Sequence, residues 1–179
     1  MSQYKIIFTG PVGAGKTTAI AALSDIAPVS TDAKATDMTR DRKEKTTVAM
    51  DYGAMRLEDG GTVHLYGTPG QERFDFMWEI LTEGGIGLVL LIDNARENPF
   101  SDLRFYMEAF GKFIRSTAVV VGVSRFDLKD DPTIEAYNHR LEAMGFPNVP
   151  VFEVDARDRR DISLLVEALL SVIDPVASA

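Results

Sequence analysis

The chain has 179 residues, 45% hydrophobic and 26% charged, enough for one globular domain with its own core and too few for two. Its 27 Asp and Glu residues outweigh 19 Lys and Arg, and a formal charge of -8 disfavours nucleic acid or an anionic lipid surface as a partner. The lack of cysteine excludes a disulfide framework, a thiolate metal site, a catalytic thiol and prenyl or palmitoyl anchoring.

The first apolar run, Tyr4 to Thr9, is short and ends at glycine, which predicts a buried parallel strand. It is too short for a signal-peptide core, and Ser2 stands where myristoylation requires glycine. No run reaches transmembrane length, so a soluble intracellular protein is expected. Residues 28 to 46 carry neither helical nor strand period, and a loop that long inside a small domain is usually functional or mobile. Thr47 to Leu57 and Thr62 to Tyr66 flank Glu58-Asp59-Gly60-Gly61, a hairpin signal that predicts one antiparallel strand at a sheet edge.

Ile86 to Ile92 and Thr117 to Val123 read as further buried strands. Between them, Asn98-Pro99 opens a helix whose Leu103, Tyr106, Met107, Phe110 and Phe113 share a face. Asp131-Pro132 is expected to start another, with Ile134, Tyr137, Leu141 and Met144 inward and Gly145 ending it. The last runs from about Asp161 and turns Ile162, Leu165, Val166, Leu169, Val172 and Ile173 inward. Alternating strands and helices predict one α/β domain over residues 1–179. Its fold is doubly wound, with six strands, mostly parallel, and about five helices.

Directly after the first strand, Gly10-Pro11-Val12-Gly13-Ala14-Gly15-Lys16-Thr17 matches G-x-x-x-x-G-K-S/T, and a helix follows from Thr17. Glycines at 10, 13 and 15 let successive backbone amides face phosphate oxygens at a helix N-terminus. Lys16 can reach the β- and γ-phosphates, and the Thr17 hydroxyl can ligate Mg²⁺ bridging them. Gly10, Gly13, Ala14, Gly15, Lys16, Thr17 and Thr18 are therefore expected at the nucleotide phosphates of a P-loop NTPase.

Four further segments resemble Ras-like small GTPases. Gly67-Thr68-Pro69-Gly70-Gln71-Glu72-Arg73-Phe74 resembles the second switch, which implies a Gly70 amide on the γ-phosphate and Gln71 orienting the attacking water. Lys45-Thr46-Thr47-Val48-Ala49-Met50-Asp51-Tyr52 resembles the first, which implies Thr47, with Thr46 as the alternative, as a second magnesium ligand that senses the γ-phosphate. Ser124-Arg125-Phe126-Asp127 stands where the family carries N/T-K-x-D, implying Asp127 as the reader of guanine and Arg125 as a cover over the purine. Asp155-Ala156-Arg157 is similar to the family's S-A-K loop, whose alanine amide reads guanine O6. The details look most like the bacterial branch of gliding-motility polarity GTPases and roadblock-associated GTPases.

The resemblance, over residues 4 to 173, implies GTP and GDP as ligands, Mg²⁺ as cofactor and slow intrinsic hydrolysis with Gln71 and Lys16 catalytic. It also implies GTPase-activating proteins of roadblock type and effectors at the switches. The chain would be cytoplasmic, without a direct membrane anchor, and brought to a membrane or pole by such partners. Gly67 departs from the pattern, because most small GTPases carry there an aspartate that holds a magnesium-bound water. Asp32, Asp37 and Asp51 are the candidate replacements, unless the ion rests on Thr17, Thr47, phosphates and water alone. Two other readings are a nucleotide-binding regulatory module with little hydrolysis and a P-loop kinase or ATPase, the latter lacking an arginine-rich lid.

Overall fold

In the central apolar runs, neighbouring residues face opposite sides of a sheet and both sides are buried, as parallel strands covered by helices require. Ile6, Phe8, Val89, Leu91 and Val120 enter one core, while Ile7, Leu88, Leu90, Ile92, Val119 and Val121 enter the other. The computed structural model describes residues 2–30, 51–69 and 76–173. The strands are β1 (Gln3–Thr9), β2 (Val29–Ser30), β3 (Asp51–Arg56), β4 (Thr62–Gly67), β5 (Gly87–Asp93), β6 (Val119–Ser124) and β7 (Val151–Glu153). The helices are α1 (Lys16–Leu23), α2 (Phe76–Thr82), α3 (Pro99–Ala109), α4 (Gly111–Ser116), α5 (Ile134–Ala143) and α6 (Arg159–Ile173). None of the described helices is long and apolar enough to cross a membrane.

The strand order is β2-β3-β4-β1-β5-β6-β7. All pairings are parallel except those of β3, which runs antiparallel to both β2 and β4. The expected antiparallel strand is thus β3, joined to β4 by a turn in which Gly60 adopts φ 89° and the Leu57 amide donates to the Gly61 carbonyl. The two-residue β2 lies outside it at the edge, too short to leave a period in the sequence. Successive connections leave β1 in opposite directions across the sheet, which opens a crevice beyond the carboxyl ends of β1 and β5 where α/β proteins bind ligands.

Two helix boundaries differ from the sequence reading. The helix after Asn98 breaks at Phe110 into α3 and α4, although Leu103, Met107, Phe110 and Ile114 keep one buried face. α5 begins at Ile134 rather than at Pro132, because the Thr133 hydroxyl caps it by accepting the Ala136 amide. Asn98 caps α3 as expected, its side chain accepting from the Ser101 amide.

Candidate functional site

The crevice is entered by the loop between β1 and α1. Gly10, Gly13 and Gly15 adopt φ of 146°, 84° and 101°, conformations that side-chain-bearing residues rarely take. A Cβ on Gly10 would lie 2.1 Å from the Leu91 carbonyl oxygen, so the loop leaves β1 pressed against the β5 backbone. The Lys16 ammonium, buried beneath this loop, donates to the Gly10 and Pro11 carbonyls at 2.6 and 2.9 Å. Thr9 and Thr68, both buried, share a 2.7 Å hydroxyl–hydroxyl bond that ties the loop entry to the segment leaving β4. Gly70 and Gln71 of that segment, and Thr47 upstream of β3, lie outside the described residues, as do Asp32 and Asp37.

A cavity of about 770 Å³ continues from this loop. It joins Ala14, Gly15 and Thr18 to Ser124, Arg125 and Asp127 after β6 and to Asp155, Ala156 and Arg157 after β7. The volume suits a bound nucleoside. The loops meet directly, for a Cβ on Gly15 would stand 2.8 Å from the Ala156 methyl. Asp127 lines the cavity and is exposed, with no hydrogen-bond partner among the described residues. Asp155, by contrast, is engaged: the Arg157 guanidinium donates to both its oxygens at 2.9 and 2.8 Å, and these bonds lower its pKa to about 2. The Asp155 amide donates in turn to Asp161 at the start of α6.

Two residues of the expected base motif have additional work. The Arg125 guanidinium pairs at 2.9 Å with Asp93, a nearly buried carboxylate at the end of β5, so its stem edges the cavity while its head is anchored. The Ser124 hydroxyl donates to the Ile92 carbonyl and so serves the sheet. Arg125 is also the one residue other than glycine with positive φ, 65°, among the described residues. Its carbonyl accepts the Leu128 and Lys129 amides, which closes the turn that carries Asp127.

Sequence reasoning missed the support beneath this turn. Asn94 is fully buried; its amide donates to the Lys129 and Pro132 carbonyls and its Oδ1 accepts the Tyr137 hydroxyl at 2.8 Å. Burial pushes the Tyr137 phenol upward, with Asp102 and Asp93 adding to the shift, so it stays a donor. The only signal in the sequence is Asp93-Asn94 at the end of an apolar strand, which reads equally as a turn.

On the other side of the phosphate loop, the Thr17 hydroxyl donates at 2.6 Å to Oδ2 of Asp51, the first residue of β3. Asp51 is 5% exposed, and its Oδ1 is buried with no hydrogen-bond partner among the described residues. A threonine hydroxyl beside a carboxylate with an unused oxygen is a hard-oxygen set of the kind Mg²⁺ takes.

The family model described as "Conserved hypothetical ATP binding protein" matches residues 28–177, and the chain belongs to this family. The chain is 28% identical over 138 residues to an uncharacterized protein of Methanocaldococcus jannaschii, covering 76% of this chain and 79% of the other. It is 25% identical over 163 residues to the GTP-binding protein YPT1 of Saccharomyces cerevisiae, covering 89% and 73%. With the Ras-related protein Rab-27A of Sus scrofa it shares 26% over 153 residues, covering 77% and 69%. Distant kinship to Ras and Rab proteins therefore accompanies a nucleotide-binding P-loop fold.

Proposed function

We propose that this member of the conserved hypothetical ATP binding protein family is a GTP-binding switch that hydrolyses GTP to GDP and signals through the segments on either side of its phosphate loop. The observation that carries the reading is the single cavity running from the phosphate loop to Asp127, a carboxylate with no other hydrogen-bond partner among the described residues. A carboxylate there can accept from guanine N1–H and the 2-amino group, a donor pair that adenine lacks. Ala156, packed against Gly15, would offer its amide to the base edge.

Phosphate oxygens would accept from loop amides and the α1 N-terminus, and Lys16 would exchange its loop carbonyls for the β- and γ-phosphates. Mg²⁺, when bound, supplies charge neutralisation between those phosphates, with Thr17 and Thr47 as its protein ligands. Gln71 would orient the water and the Gly70 amide would hold the γ-phosphate; once that phosphate is gone, Thr47 and Gly70 lose a partner and both switches relax. Partners that read this change, GTPase-activating proteins of roadblock type and effectors, would bind at the switches. Such partners would also bring the chain to a membrane or pole.

The test is a competition titration of GDP, GTP, ADP and ATP against a fluorescent guanine nucleotide, paired with single-turnover hydrolysis. Guanine nucleotides are expected to win by orders of magnitude and GTP to be cleaved slowly. The family's own description favours a second reading, an adenine nucleotide in the same cavity. Equal competition by ADP and ATP would replace the guanine assignment with that one. Tight GTP binding without cleavage would leave a regulatory nucleotide-binding module.

A further inference from the structure

β3 and β4 are paired antiparallel, and their register sets Asp51 directly across from Gly67. Gly67 is the position where the resemblance calls for an acidic side chain and the sequence has none. A Cβ built on Gly67 would meet the Asp51 Cβ and Oδ2, both at 3.2 Å, and Ile20 Cδ1 at 3.1 Å. The space that a residue-67 side chain would enter is therefore already filled by the side chain of residue 51.

Three independent observations give that side chain a purpose. Asp51 is nearly buried, a costly place for a carboxylate that no cation accompanies among the described residues. One oxygen accepts the Thr17 hydroxyl hydrogen, which leaves the lone pairs of Thr17 Oγ1 for another partner and raises the basicity of that oxygen. The other oxygen has no hydrogen-bond partner among the described residues, an arrangement that folding alone would not favour. A carboxylate here would hold a magnesium ion together with the nucleotide phosphates.

We infer that Asp51 supplies from β3 the carboxylate of the magnesium site that Gly67 on β4 lacks, orienting Thr17 through Oδ2 and leaving Oδ1 for a magnesium-bound water. Glycine at 67 is the complementary half of the exchange, because a side chain there would press on Asp51 and Ile20. The inference rests on the magnesium–nucleotide reading above and names the residue that completes it.

The experiment measures release of a fluorescent GDP analogue against free Mg²⁺ concentration, from EDTA upward, for the wild type, D51N, G67D and the exchange variant D51G/G67D. D51N should need about 10- to 100-fold more Mg²⁺ for half-maximal retention, the usual effect of removing an outer-shell metal partner. Its affinity in EDTA should match the wild type, which shows an intact pocket. G67D, with two carboxylates in contact, should lose thermal stability, and D51G/G67D should recover most of the magnesium response. Should D51N fail to fold, D51S, smaller and uncharged, should show the same shift in magnesium dependence. Unchanged magnesium dependence in a folded D51N or D51S overturns the assignment alone. Wild-type GDP release insensitive to EDTA overturns the magnesium reading and the assignment with it.

Discussion

Arg125 combines two opposing contributions that substitutions can separate. Its guanidinium satisfies Asp93, and its backbone sits at φ 65°, where a Cβ is crowded. A hydrogen bond to a charged group contributes about 1.5–3 kcal/mol. The guanidinium side chain is 48% exposed against 6% for Asp93, so solvent screening places the expected loss for R125A near the low end. Alanine keeps the crowded Cβ, whereas glycine removes a left-handed penalty of about 1–2 kcal/mol. Glycine also gives the unfolded chain about 0.5–1 kcal/mol of extra freedom, which leaves R125G more stable than R125A by about 0.5–1 kcal/mol. Urea unfolding at constant m-value measures both, and adding D93N and R125A/D93N completes a double-mutant cycle with an expected coupling of about 1 kcal/mol. The account fails if R125G is no more stable than R125A, or if the coupling vanishes within about 0.3 kcal/mol.

Two further outcomes follow from the same loops. Y137F strips Asn94 Oδ1 of its buried donor and should cost about 1–3 kcal/mol in chemical denaturation, with faster nucleotide release because the turn carrying Asp127 is held by Asn94. The Asp155 carboxyl, held at about 2 by Arg157, should titrate near that value by NMR, and R157A should return it toward the ordinary aspartate value of about 3.9. Because the folded value lies below the unfolded one, any stability this pair adds is present above about pH 4 and is lost as pH falls toward 2. A normal Asp155 titration in the wild type would show that the ion pair does not form in solution.

The phosphate loop was legible because its chemistry is contiguous: eight adjacent residues carry glycines, lysine and threonine in the order that a strand-to-helix turn needs. The alternating cores were legible for a similar reason, since β5 and β6 are apolar up to their last residues and α6 repeats every three to four residues as far as Leu169, although Val172 and Ile173, expected inward, are exposed. The cavity wall at Asp127 and Ala156 could be anticipated from short motifs, each lying just past a strand end. The anchoring of Arg125 to Asp93 and of Tyr137 to Asn94 could not, because each pair is far apart in the chain and meets only when β5, β6 and α5 are packed.

The sequence by itself determined the fold class, the phosphate loop and the vacancy at Gly67, since local pattern and residue type are sufficient for those. It left three aspartates as candidates to fill that vacancy. Only the tertiary structure brought Asp51 to that position, because the register of β3 against β4, a property of pairing between strands and not of either strand, sets its carboxylate opposite Gly67 and within 2.6 Å of Thr17.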